Sequence, residues 1–381
     1  MTKGVFQKRI YRIAVSSFFF LAGLTFSSWA SRIPDIQAKL HLNNAALGAV
    51  LLGLPAGLLI SLPIAGWLVA KFGSRPIAIG AALLYACTLP MLGFVQNKGQ
   101  LFGCLFIFGM GGNMLNISMN TQAVSTEVLY GRSIMASYHG LWSLAGFSGA
   151  AIGTLMLALG LTPVQHFLII DAMAFLIIAF ASKYLLVEDV NAKAQGPIFA
   201  RPDRSLINLG LIAFCSMICE GAMFDWSGVY FQKVVQPGKG LVTLGFTAFM
   251  CTMATGRFVG DWVVTTIGKK RTLQWSGLLT ASGLLIAVIF PYLITAVAGF
   301  LLVGAGVSSV VPLIYSSAGK SKVLSPGVAI AAVSTIGYLG FLFGPPFIGF
   351  IAQVSGLRTS LGLIAVLGSI IAVIASQNKF E

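Results

Sequence analysis

Charge is scarce in this chain. Of 381 residues only 9% are Asp, Glu, Lys or Arg, and just ten are acidic, whereas an ordinary soluble domain devotes about a quarter of its residues to charge. Such a composition excludes a soluble enzyme. Cysteine and histidine are thin as well. The five cysteines, Cys87, Cys104, Cys215, Cys219 and Cys251, all fall inside apolar runs, and the three histidines are far apart, so neither a disulfide framework nor a metal site is expected. No G-x-x-x-x-G-K-[ST] string occurs, which removes a nucleotide-driven pump, and no cofactor is implied. The net charge of +14 sits in short clusters between apolar segments, without the interleaved stacking aromatics of a nucleic-acid surface. It reads as a topology signal, and no nucleic acid is expected as a partner.

What the chain does have is long hydrophobic runs. Residues of apolar type make up 57% of it, in stretches of about 18 to 25, the length that crosses roughly 30 Å of hydrocarbon. Twelve candidate helices follow, near residues 10–31, 44–70, 76–95, 100–127, 133–159, 163–186, 205–232, 241–267, 272–293, 295–318, 326–354 and 358–376. The first run follows Lys3, Lys8, Arg9 and Arg12 in the manner of a signal peptide, but at about 20 residues it exceeds the usual apolar core of one. The expected fold class is therefore all-α and polytopic. A six-helix bundle over 1–186 and a second over 205–381 are joined by the polar linker 187–204, VEDVNAKAQGPIFARPDR.

Placing both termini in the cytoplasm puts 17 of the 24 basic residues on that side. Six lie opposite, Arg32, Lys39, Lys98, Lys233, Lys239 and Arg358, and Arg257 lies near the inner end of the eighth segment. The asymmetry orients a multi-pass protein in the lipid bilayer; the expected location is a bacterial inner membrane and the expected state a monomer. The two halves also repeat. Trp29 matches Trp226, Trp67 matches Trp262, Gly73 matches Gly268, and Gly146, Gly149 and Gly153 match Gly340, Gly344 and Gly349, all at offsets of 194 to 197. A duplicated six-helix unit explains this, and parallel repeats of six are a known transporter plan.

Gly66, Ala70, Lys71, Gly73, Ser74 and Arg75 occupy the positions of the loop pattern G-x-x-x-D-R-x-G-R-R, with its acid missing. The second half has Gly256, Arg257, Gly260 and Asp261 followed by Gly268, Lys269, Lys270 and Arg271. On these strings the chain resembles the major facilitator superfamily of transporters. The resemblance implies alternating access to a midplane site, and a latching role for Asp261, Arg257, Lys71 and Arg75 at the cytoplasmic ends, with Arg257 and Asp261 spaced to pair. The strings Trp29–Pro34, Ser137–Ser143 and Glu220–Ser227 are similar to a bacterial inner-membrane branch near the fucose-permease-like sugar transporters. The G-P-x-x-G-G motif common in antiporters of the family is absent from the fifth segment, which reads Gly149-Ala150-Ala151-Ile152-Gly153.

An ionisable side chain inside a membrane helix is costly and marks a functional candidate. Asp35, Glu188, Asp189, Asp203 and Glu381 lie in loops or at the terminus, and Glu127 and Asp261 lie near helix ends, which leaves Asp171, Glu220 and Asp225. Glu220 lies about 22 Å along the seventh segment at 1.5 Å per residue, and is the expected proton-coupling acid. Asp225 and Asp171 are further proton-coupling candidates, with a mouth or gate role for Asp225 and a packing hydrogen bond for Asp171 as the leading alternatives. The resemblance makes the fourth segment cavity-lining, so Asn113, Asn116 and Asn120, on one helical face, become expected substrate ligands, with interhelical amide bonds as the alternative. His139 and Trp142 share a face of the fifth segment and suit a stacked, hydroxyl-bearing solute, while Tyr315 and Tyr338 are weaker candidates from the second half. Mid-helix Lys or Arg is missing, so an anion finds no fixed cation unless Arg32 folds inward at the outer mouth. The expected function is proton-coupled symport of a small neutral polar solute such as a sugar. A proton-coupled exporter of amphipathic compounds and a non-transporting sensor with the same fold stand as alternatives.

Overall fold

The computed structural model describes residues 2–131, 134–189, 204–321, 324 and 326–378. Among the described residues there are helices and no strands. Most of the linker expected at 187–204 lies outside them, since 190–203 are not described. Ten stretches are long and apolar enough to cross a membrane. The last of these, Val328–Gln377, has 50 residues, twice the length one crossing needs. It breaks at Gly356, whose φ of 85° and ψ of 160° are non-helical. Divided there, and with the charged helix Leu244–Ile267 added, the spans number twelve, and each covers one expected segment.

The chain forms two compact units, Met1–His41 with Val50–Ala194, and Leu42–Ala49 with Gln195–Glu381. The first holds α1 (Thr2–Ser31), the short α2 (Ile33–Lys39), most of the split pair α3 (Asn44–Leu51) and α4 (Gly53–Phe72), then α5 (Ser74–Phe94), α6 (Lys98–Tyr130), α7 (Met135–Ala158) and α8 (Pro163–Ala181). The second holds α9 (Arg204–Tyr230), α10 (Leu244–Ile267), α11 (Lys269–Ile289), α12 (Leu293–Val307), α13 (Val310–Ala318) and α14 (Pro326–Gln377). Residues 42–49 group with the second unit, not with the rest of 1–186, because Gly48 and Gly349 approach there with no side chain between them.

Local sequence sets the helix ends. Asn97 accepts a hydrogen bond from the Gln100 amide at the start of α6, and Gly131 closes that helix in the left-handed region at φ 67°. Thr162 and Gln165 form a reciprocal capping box before α8, with Pro163 in the first turn where its missing N–H costs nothing. Gly73 and Gly268 take nearly the same conformation, φ 84°, ψ 160° and φ 82°, ψ 157°, each between consecutive spans. A β-carbon would be strained in that region, so the matched glycines mark equivalent turns of the two halves.

The matched tryptophans also share surroundings. Trp29 and Trp226 are fully buried, while Trp67 and Trp262 are exposed. Gly149 of α7 lies against the Leu24 carbonyl of α1, and Gly340 of α14 lies against the Phe214 carbonyl of α9. Small residues at these crossings allow backbones to approach, which is how helices gain packing where lipid offers no hydrophobic drive. Gly109 of α6 is such a site against the Leu54 carbonyl of α4, whereas Gly103 on the same helix has nothing within 4 Å of an added β-carbon. Gly109→Ala is expected to destabilise the protein by about 1–3 kcal/mol through overpacking and Gly103→Ala to leave it unchanged, both read as thermal unfolding in detergent.

Candidate functional site

The second unit buries a charge pair. Glu220 lies in the interior of α9, a 27-residue helix, and Arg257 in the interior of α10, a 24-residue helix. Arg257 Nη2 lies 3.4 Å from Glu220 Oε1, with side chains 19% and 7% exposed. The contact is longer than a strong charge-assisted hydrogen bond. Around it stand two phenols, Tyr315 of α13 and Tyr338 of α14, both within electrostatic reach of Glu220, and Ser334 is a polar neighbour of Tyr315. The Tyr315 hydroxyl is buried with no hydrogen-bond partner. A carboxylate, a guanidinium and phenolic hydroxyls thus converge from four helices in a low-dielectric setting.

This arrangement corrects two expectations. Arg257 does not pair with Asp261, which is exposed on α10; its carboxylate partner is Glu220, 37 residues away in sequence. A basic residue also does stand at mid-helix, contrary to the expected lack of one. Since its charge is matched by Glu220, the pair carries no net charge into the membrane.

The first unit distributes its expected ligands unevenly. Asn113 is buried on α6 and donates from Nδ2 to Ser61 Oγ of α4 at 2.9 Å, so it holds two helices together. Asn116 and Asn120 are partly exposed and join through Asn120 Nδ2, which donates to the Asn116 carbonyl at 2.7 Å and to its Oδ1 at 3.0 Å. His139 is exposed on α7 and meets the Phe19 ring edge-on at 5.3 Å, while Trp142 tilts against Phe26 at 6.3 Å. Asp171 of α8 is half-buried, and its Oδ1 has no hydrogen-bond partner among the described residues. Asp225 is partly buried one turn beyond Gly221, which faces Phe341 of α14. It makes no hydrogen bond or ion pair among the described residues.

Arg32 is not a mouth residue. It is 1% exposed, and its guanidinium is spent within the first unit, donating to His166 Nδ1 at 3.2 Å, Asp35 Oδ2 at 2.9 Å and the Leu161 carbonyl at 3.0 Å. Lys71 and Arg75 form no ion pair among the described residues. Lys71 lies over the rings of Trp67 and Phe72, and Arg75 reaches the Lys183 carbonyl.

Three residues set aside as loop or left unweighed prove structural. Asp189 Oδ2 accepts from the Ser74 amide at the start of α5 at 2.7 Å, and its Oδ1 accepts from the Ser74 hydroxyl. Gln122 of α6 donates to Ser74 Oγ at 2.6 Å and to the Leu186 carbonyl at 2.8 Å, and accepts from the Leu186 amide at 2.8 Å. The acid missing from the loop pattern is thus supplied from the far end of the unit, where it caps α5. Replacement of Asp189 by Ala is expected to cost about 0.5–2 kcal/mol, the range for a lost N-terminal cap. Ser74→Ala in the Asp189→Ala background should add less than it does alone, as read by thermal unfolding.

Comparison with known proteins places this geometry. Residues 15–327 match the family model described as Major Facilitator Superfamily. An uncharacterised MFS-type transporter of Yersinia pestis is 34% identical over 364 residues, 96% of this chain and 94% of that protein. Among solved structures, the nucleoside transporter NupG superposes with a TM-score of 0.76 at 12% identity, over 96% of this chain and 98% of that one. FucP in its outward conformation superposes at 0.66 and 17% identity, over 96% and 97%. With twelve spans, two compact units and a relative matched over nearly its whole length, this chain belongs to the Major Facilitator Superfamily of multi-pass membrane transporters.

Proposed function

We propose that the chain is a secondary active transporter that carries a small neutral polar solute, a sugar among the candidates, into the cell together with protons, and that Glu220 is the proton carrier. The observation that supports this is the buried contact between Glu220 and Arg257, with Tyr315 and Tyr338 beside it. A charge buried in a protein is tolerated when its partner is at hand. Proton uptake by Glu220 removes the charge that holds Arg257, and the guanidinium is then available to donate hydrogen bonds to oxygens of the solute. Proton release restores the pair. Hydroxyl and ether oxygens of a neutral solute can accept from the guanidinium and from the two phenols.

The reading extends to placement. Movement of one six-helix bundle against the other, joined through 187–204, would give alternating access in a bacterial inner membrane with both termini cytoplasmic. Asn116, Asn120, His139 and Trp142 are proposed as solute contacts in the first unit, where each keeps some exposed surface. The three strings that resemble the fucose-permease-like branch favour a sugar, and NupG, which shares the fold, is named as a nucleoside transporter.

The test is proton movement on solute addition in liposomes containing the purified protein, with a panel of neutral sugars and nucleosides and of amphipathic drugs. Glu220→Gln is expected to abolish solute-driven proton uptake and uphill accumulation while retaining downhill exchange. Full uphill transport by the variant with unchanged pH dependence would reject Glu220 as carrier, and proton counterflow with the drugs would reject symport in favour of export.

A further inference from the structure

We infer that the end of the first unit formed by α4, α5 and α8 is a binding site for the phosphodiester headgroup of an anionic phospholipid. Three cations are placed there. Lys71 lies in the last turn of α4 and Arg75 in the first turn of α5, either side of the Gly73 turn. Arg75 Nη2 donates to the Lys183 carbonyl at 3.4 Å, which brings the guanidinium to the end of α8 beside the third cation. Neither of the two ion pairs among the described residues includes any of the three. The neighbouring carboxylate of Asp189 is already engaged by the amide and hydroxyl of Ser74. Among the described residues, the other acid beside them in sequence is Glu188, which is exposed and pairs with none of them.

Aromatic rings fix the depth of these charges. Lys71 Nζ lies 4.8 Å from the Trp67 ring centre and 5.3 Å from that of Phe72, and Lys183 Nζ lies 5.0 Å from Tyr184 and 5.7 Å from Phe180. All four rings are well exposed, from 42% for Tyr184 to 65% for Phe180. Exposed Trp and Tyr at the ends of membrane spans sit at headgroup level, and a cation over the ring face is held at the same level. Arg75 Nε and Nη1 have no protein acceptor among the described residues and can donate to phosphate oxygens, with the lysines as point charges beside them. One turn deeper than Phe180, Leu176 is 60% exposed and offers apolar surface to an acyl chain. A zwitterionic headgroup would bring its own cation against three others, so the complementarity is to an anionic one. Free phosphate shares the headgroup chemistry but has no chain to lie along Phe180 and Leu176.

The experiment is native mass spectrometry of the full chain in detergent, titrated with phosphatidylglycerol, phosphatidylcholine or inorganic phosphate. The wild type is compared with Arg75→Gln/Lys183→Gln and with Lys98→Gln, an exposed cation at the start of α6. Wild type and Lys98→Gln are expected to retain phosphatidylglycerol well above phosphatidylcholine. The double variant should lose about fivefold in phosphatidylglycerol retention for each cation removed, with phosphatidylcholine unaffected and the thermal midpoint in lipid-free detergent unchanged. Equal retention of the two lipids by the wild type, or undiminished phosphatidylglycerol retention by the double variant, would overturn the inference. Displacement of phosphatidylglycerol by equimolar inorganic phosphate would reassign the site to a soluble anion and overturn it also.

Discussion

A charge withdrawn from water into a helix bundle has to meet its counter-charge inside the protein, because the surrounding hydrocarbon offers nothing in exchange for lost hydration. In this chain that requirement falls on Glu220 and Arg257, which answer each other across α9 and α10. The phenols of α13 and α14 gather around the same point. Broken helices serve the arrangement as well. The turn at Ser308 and Ser309 between α12 and α13, and the two prolines inside α14, are irregularities of the kind membrane proteins keep where the backbone is surrounded by protein.

The first unit obeys the same rule with different residues. Arg32 is fully buried, and each of its three guanidinium nitrogens donates to an acceptor: a ring nitrogen, a carboxylate and a carbonyl. His166 accepts through Nδ1, so its ring hydrogen is on Nε2. At the opposite end of the unit, Gln122, Ser74 and Asp189 close a compact network over the start of α5 and the exit of α8. Each network joins segments more than forty residues apart.

The spans were legible in the sequence because the length of hydrocarbon to be crossed is fixed, and an apolar run of the right length has few other uses. The duplication was legible for a related reason: a buried Trp, an exposed Trp and a positive-φ glycine are each demanded by a particular place in the fold, so Trp29, Trp67 and Gly73 recur as Trp226, Trp262 and Gly268. Glu220 stood out because carboxyls are rare in such runs. Its partner did not. A spacing of four residues pointed Arg257 to Asp261, but a long side chain on α10 reaches whichever neighbouring helix lies beside it, and that neighbour is a property of the packing. Arg32 and Asp189 were misplaced for the same reason: their partners are His166 and Ser74, more than a hundred residues away. The asparagines share a helical face, but periodicity does not say that Asn113 meets Ser61 while its neighbours stay open.

The central claim is that Glu220 and Arg257 act as one neutral unit, and a double-mutant cycle on stability tests it most directly. Arg257→Gln leaves a buried carboxylate alone, a loss of about 3–5 kcal/mol when one partner of a buried pair is removed. If the pair is real, Glu220→Gln/Arg257→Gln will unfold at a higher temperature than Arg257→Gln, because the second change removes the stranded charge. Additive losses from the two substitutions would mean that the side chains do not interact, and would contradict the account.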